Sequence, residues 1–259
     1  MKGEHTVNRN RPRSPHSGFQ LALFLCLAML LGAVTLMRTR AEARDTPPAE
    51  PTPAPTDTPA PTDTPVPEDY VPWYLTLVNR WNPIDAAFWT EPELVTLDNG
   101  KQVDARIYPY LQQMFEDMER AGVYPIVASG YRTREEQQRI YDETMAEYLA
   151  QGHSEDGARA ETEKWVSVPG TSEHQLGLGV DINADGVRSA GYEVYDWLAE
   201  NAHRYGFIQR YPVSKTDLTG VENEPWHYRY VGEEAAAEIH ALGICLEEYL
   251  EPPQGDTVS

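Results

Sequence analysis

Between residues 46 and 67 proline and threonine recur, and Ala-Pro-Thr-Asp-Thr-Pro occurs twice in succession. Such a segment offers no apolar stripe to bury and, at each proline, no backbone N–H to a ladder, so it predicts an extended polyproline-like spacer. At about 3.1 Å per residue it spans up to roughly 70 Å. It therefore confines any globular fold to residues 70–251 and separates that fold from the N-terminal segments. A chain of 259 residues suits this division into one sizeable domain plus accessory pieces.

Upstream of the spacer, residues 1–18 are polar and net basic, with Lys2, Arg9, Arg11 and Arg13. Phe19 to Met37 follows without a single charge. That run just reaches the length of roughly 20 residues needed to cross a hydrocarbon core. The basic start places residues 1–18 in the cytoplasm and 19–37 as a transmembrane anchor, with Arg38, Arg40 and Arg44 weakening the charge asymmetry. The competing reading is a signal peptide cleaved near Ala41-Glu42-Ala43. The apolar run is longer than a usual signal core, which favours the anchor. Under either reading the linker at 38–69 and the domain at 70–251 lie outside the cytoplasm, and 252–259 form a flexible tail.

Net charge is −20, with 41 acidic against 21 basic residues, and no basic run appears after the N-terminus. Phosphate backbones are bound by clustered Lys and Arg, so nucleic acid is excluded as a partner. Cys26 and Cys245 are the only cysteines, and Cys26 sits inside the apolar run. A disulfide scaffold is ruled out. Any zinc site here must draw on histidine and carboxylate.

Within the domain, Trp73, Tyr74, Leu75, Val78 and Trp81 form a capping segment, with turns at Asn82-Pro83 and Asn99-Gly100. Ile107, Leu111, Met114, Phe115 and Met118 fall on one face of a helix over 105–121, closed by Gly122. Residues 124–129 read as a short buried strand. Thr133 with Glu136 has capping-box spacing, which predicts a helix from Arg134 to about Ala150, stopped by Gly152. A further helix lies near 156–165. A strand over 178–183 leads to a turn at Asp185-Gly186. A helix over 190–205 ends at Gly206, strands span 207–211 and 226–231, and a last helix over 233–242 ends at Gly243. The mixture predicts an α+β domain with a small, mainly antiparallel sheet flanked by helices.

Ser172 to Asp181 reads Ser-Glu-His-Gln-Leu-Gly-Leu-Gly-Val-Asp. His174 and Asp181 are separated by two glycines, Gly177 and Gly179, which free the backbone to bring both side chains to one point. Glu224-Pro-Trp-His227 adds a second histidine with a carboxylate before it. Two imidazoles and one carboxylate would make a three-ligand zinc set with the fourth tetrahedral position open to water, and beside it stands the plainer reading of His174 and His227 as surface or satisfied core histidines. The spare carboxylate stands where a general base is wanted. His153, His203 and His240 read instead as surface or satisfied core residues. Glu233, Glu234 and Glu238 read as a solvated helix face.

Ser-Gly-Tyr-Arg-Thr (129–133) with Gln137, Pro-Gly-Thr-Ser-Glu-His-Gln-Leu-Gly-Leu-Gly-Val-Asp (169–181) and Glu-Pro-Trp-His-Tyr-Arg-Tyr-Val-Gly (224–232) resemble the VanY-type zinc D-alanyl-D-alanine carboxypeptidases. The likeness runs over roughly residues 100–250, with three motifs in the same order and spacing. It implies Zn²⁺ on His174, Asp181 and His227, Glu224 as catalytic acid/base, and Arg132, Gln137 and Ser172 holding substrate. Arg132 is a permanently charged fork suited to a C-terminal carboxylate or to a developing oxyanion. The implied reaction removes the terminal D-alanine of peptidoglycan stem peptides, the chain acting as a monomer tethered to the membrane. Rival readings on the same scaffold are an L,D-carboxypeptidase and a cross-bridge endopeptidase. A non-catalytic wall-binding module that keeps zinc for structure is a different class, and Glu224 argues against it.

Overall fold

A four-stranded antiparallel sheet carries the fold, and its two faces differ sharply in chemistry. The computed structural model describes residues 71–251, Phe88 excepted. The predicted cytoplasmic start, the anchor or signal peptide at 19–37, the linker and the tail lie outside the described residues. Among the described residues, no helix is long and apolar enough to cross a membrane.

The elements run β1 (Leu94–Thr96), β2 (Gln102–Asp104), α1 (Tyr108–Arg120), β3 (Pro125–Ser129), α2 (Arg134–Ala150), α3 (Glu155–Thr162) and β4 (Gly179–Ala184). They continue with α4 (Gly191–Asn201), β5 (Phe207–Gln209), the one-turn α5 (Thr216–Thr219), β6 (His227–Tyr230), α6 (Glu233–Leu242) and α7 (Leu246–Leu250). The main sheet has the order β3-β4-β6-β5 with every pair antiparallel. The hairpin β1-β2 stands apart as a two-stranded sheet.

The alternation Gly179-Val180-Asp181-Ile182 sends Val180 and Ile182 to one face of β4, and His227-Tyr228-Arg229-Tyr230 does the same for Tyr228 and Tyr230 in β6. These four side chains lie in the main apolar core with Leu111, Met114 and Met118 of α1 and Leu198 of α4. The opposite face of the same strands carries Asp181, His227 and Arg229. A second, smaller core joins Ile208 and Val231 to Ala235, Ala236 and Ile239 of α6 and Leu246 of α7.

α2 occupies the range its sequence predicts. The Thr133 hydroxyl accepts the Glu136 N–H, and the Glu136 carboxylate accepts the Thr133 N–H. Gly206 and Gly243 end their helices at φ 80° and φ 64°, left-handed values that an L side chain adopts only with strain.

Several boundaries differ from expectation. The helix expected over 190–205 divides into α4 and a tighter 3-10 turn over Ala202–Tyr205. Asn201 leaves helical geometry at φ −125°, its amide bonded back to the Trp197 carbonyl. The strands expected over 207–211 and 226–231 shorten to β5 and β6, and α3 ends at Thr162. The hairpin β1-β2 surrounds the predicted Asn99-Gly100 turn, but three-residue strands show too little alternation to be read. α6 is not the last helix. α7 follows it, with the Glu248 carboxylate accepting the Cys245 N–H at 2.8 Å.

Candidate metal centre

Pairing in the sheet sets the first two donors. Asp181 of β4 lies opposite His227 of β6, and Ser129 of β3 lies opposite Asp181, so three adjacent strands place Ser129, Asp181 and His227 in one row. His174 arrives from the turn Glu173–Leu176, whose exit needs Gly177 at φ 73°. His174, Asp181 and His227 each offer one donor atom, and the three donors lie within 4.8 Å of one another.

The ring orientations are fixed by second partners. His174 Nδ1–H donates to the Gly130 carbonyl at 2.7 Å, leaving Nε2 aimed at Asp181 Oδ1, 3.5 Å away. His227 turns Nδ1 toward Asp181 Oδ1 at 3.0 Å, with Glu224 Oε2 at 3.8 Å. The two imidazoles meet edge to face with centroids 4.9 Å apart. The donor set is therefore Nε2 of His174, Oδ1 of Asp181 and Nδ1 of His227.

Electrostatics agree with a cation at this point. Burial, reinforced by Arg132, lowers His174 to about 4, so its ring is neutral at physiological pH. Asp181 is half-buried, and against the desolvation that would raise it His174, His227 and Arg132 hold its carboxyl well below the ordinary range. Burial alone would lower His227, but Asp181 and Glu173 outweigh it and raise the ring to about 9. Burial pushes Glu224 up to about 8, with His227 opposing and Asp181 reinforcing. Carboxylates crowding one imidazole draw positive charge into the cluster. A divalent cation on the three donors would supply that charge and would draw Glu224 back down. Two nitrogens and one oxygen suit zinc, and the residues fit the ion.

Arg132 bridges this centre to the start of α2. Its Nη2 donates to Asp181 Oδ2 at 2.9 Å, Nε to Ser129 Oγ at 2.8 Å and Nη1 to Gln137 Oε1 at 3.2 Å. The oxygen of Asp181 that Arg132 takes is the one turned away from the histidines. Gln137 is 1% exposed and spans from Arg132 to the Ser167 carbonyl, which its Nε2 reaches at 2.7 Å. Ser172 is buried at the head of the turn bearing His174, and its side chain makes no capping hydrogen bond there. His153, His203 and His240 stand elsewhere. His153 packs on Tyr148, while His203 and His240 stack on each other with centroids 3.8 Å apart.

The family model for VanY, D-alanyl-D-alanine carboxypeptidase, matches residues 100–233. The chain belongs to this VanY family. It is 62% identical over 182 residues to a D-alanyl-D-alanine carboxypeptidase of Enterococcus faecalis, covering 70% of this chain and 67% of that protein. Among solved structures it is similar to VanYB in complex with D-alanine-D-alanine, at TM-score 0.68 and 61% identity over 71% of this chain and all of that one. It is likewise similar to a vancomycin-resistance D,D-pentapeptidase VanY variant in complex with Zn(II), at TM-score 0.67 and 62% identity, covering 69% of this chain and 99% of that one.

This VanY-family domain also assembles residues around the centre that sequence reasoning passed over. Ser129 anchors Arg132, and Glu173, Arg210 and Arg229 form a fully buried charged cluster directly behind His227. The signal for Glu173 was present as the central residue of Ser172-Glu173-His174. Nothing local marked it, because its partners lie 37 and 56 residues away.

Proposed function

We propose that this chain is a zinc D,D-carboxypeptidase that removes the C-terminal D-alanine from peptidoglycan stem peptides. The observation that carries the reading is the convergence of His174 Nε2, Asp181 Oδ1 and His227 Nδ1 with the Glu224 carboxylate beside them.

His174, Asp181 and His227 would hold the metal. Held there, zinc would supply Lewis acidity for the scissile carbonyl and a water of lowered pKa. Glu224 takes the proton of the attacking water and returns it to the nitrogen of the departing D-alanine. Burial raises its carboxyl and the bound cation would lower it again, which leaves Glu224 able to take the proton and to return it. Arg132 is held at the edge of the centre by its bond to Asp181 Oδ2, and in this reading its permanent charge serves the negative charge that develops on the carbonyl oxygen. Gln137, with both ends of its amide engaged, serves substrate by holding Arg132, and Ser172, buried at the head of the turn bearing His174, serves it by seating that turn.

Anchored at 19–37 and carried on the spacer, the domain acts as a monomer outside the cytoplasm, within reach of wall material above the bilayer. The test incubates the full-length protein with a pentapeptide ending in D-Ala-D-Ala and with a tetrapeptide ending in L-Lys-D-Ala. D-Alanine released from the pentapeptide, and abolished by a chelator, is the expected result. Release from the tetrapeptide alone overturns the assignment in favour of L,D-specificity.

A further inference from the structure

Behind the three donors lies a second layer of charge without solvent access. Glu173 is 1% exposed, and Arg210 and Arg229 are 0% exposed. Charged side chains are almost never buried to this degree unless paired. Glu173 Oε1 accepts from Arg210 Nε at 2.7 Å and from Arg229 Nη1 at 2.9 Å. Arg229 donates three further hydrogen bonds, to the carbonyls of Tyr230, Tyr74 and Thr76. Arg210 completes a bidentate pair with Glu247 of α7, at 2.8 and 2.6 Å. Asn79 Nδ2 steadies the same carboxylate at 3.1 Å. Two arginines against two glutamates leave the cluster neutral.

One oxygen of this cluster is not used within it. Among the described residues Glu173 Oε2 and His227 Nε2 are both buried without a hydrogen-bond partner, and they face each other 3.5 Å apart. Gly179 makes the approach possible. It lies opposite Arg229 in the sheet, and a Cβ there would sit 3.2 Å from His227 Nε2 and 3.3 Å from Glu173 Cβ. The open corner of that glycine is the space through which carboxylate and imidazole meet.

We propose that Glu173 is a positioning residue of the metal centre: it accepts Nε2–H of His227 and so presents the Nδ1 lone pair to the ion, and Arg210, pinned by Glu247 of α7, holds it in place. A neutral imidazole carries one proton, and the nitrogen that keeps it decides which nitrogen is free to ligate. A clamp of two arginines makes the carboxylate a fixed acceptor. Asn79, Tyr74, Thr76 and Glu247 all lie outside residues 100–233, so segments beyond the family-matched region support the centre. The inference rests on the zinc reading above.

The experiment uses the full-length protein loaded with one equivalent of Zn²⁺. Nitrogen-15 spectra of the wild type should show His227 protonated at Nε2 and ligated at Nδ1. Glu173→Gln keeps the shape and weakens the acceptor, and it should lower zinc affinity about 10- to 100-fold in chelator competition, with helix content unchanged. Glu247→Gln, which leaves the contact to His227 in place, should lower it by a smaller factor. Ligation of His227 through Nε2 in the wild type overturns the proposal even if the variants fail to fold. Wild-type affinity in a folded Glu173→Gln overturns it as well, since a merely structural acid would change melting and not metal binding. A wild type that takes up no zinc at all removes the functional reading together with this one.

Discussion

Asp181 and His227 are cross-strand partners in β4 and β6, and the carboxylate Oδ1 lies 3.0 Å from the imidazole Nδ1. The centre is thus built on the sheet and not on a loop. Backbone pairing fixes the separation of the two side chains before any ion binds. Only His174 comes from a turn, and its ring is tied to Gly130 on the other side. A site on rigid elements loses little entropy when metal arrives, which favours tight binding.

Glu224 touches this preformed centre without belonging to the donor set. Glu224→Ala should therefore retain zinc while losing the proton shuttle. Turnover of a D-Ala-D-Ala peptide is expected to fall by about a thousandfold, the range of general acid/base catalysis. Metal content and KM should stay close to wild type. Atomic absorption with steady-state kinetics checks both, and loss of zinc along with turnover would contradict the assigned role.

Arg132 is separable in the same way. Its three bonds to Asp181, Ser129 and Gln137 need the planar fork of a guanidinium, which an ammonium cannot reproduce. On the proposed reading that Arg132 serves the transition-state oxygen, Arg132→Lys should lower kcat by about a hundredfold, with a smaller change in KM. A large rise in KM with kcat intact would assign Arg132 to the substrate carboxylate instead.

Local signals in the sequence forecast much of this molecule. The Thr133/Glu136 box, the glycine stops and the one-sided apolar spacing of α1 are each written within a few residues, and each appears where expected. His174, Asp181 and His227 stood out in the sequence because their motifs resemble one family in order and spacing, whereas the histidines and the carboxylate alone left a metal and a plain core equally open; the structure groups the three. Glu173 was not legible. Its neighbour in sequence is a ligand, yet its side chain turns into the interior toward arginines on β6 and just beyond β5. An arginine in a strand ordinarily faces solvent, and only the assembled sheet shows Arg229 capping the carbonyls of Tyr74 and Thr76. The short strands β1 and β2 and the five-residue α7 escaped because periodicity needs more length than they have.

Gly179 offers a test of close approach. Alanine there adds a methyl 3.2 Å from His227 Nε2 and 3.3 Å from Glu173 Cβ, tighter than ordinary contact. The imidazole sits on a paired strand and yields little. Gly179→Ala should fold, with zinc affinity reduced by about tenfold or more. Chelator competition beside a thermal melt measures both, and unchanged affinity would show that the ring has room to move.

Cys245 gives a prediction in pH. Burial above all, opposed by the Glu248 backbone hydrogen bond and aided by the carboxylates of Glu247 and Glu248, pushes its thiol up to about 11. An unfolded thiol titrates near 8.5. The folded state therefore holds this proton more tightly than the unfolded state. Its contribution to stability is fully present below about pH 8.5 and declines as pH climbs toward 11. At pH 8 the folded protein should react with a thiol reagent far more slowly than the urea-unfolded chain, because the thiolate is the nucleophile and the sulfur is buried. The full chain also contains Cys26, so the comparison is made in a Cys26→Ser variant. Equal labelling rates in the two states would show that the cap formed by α7 opens readily, and with it the Glu247 clamp on Arg210.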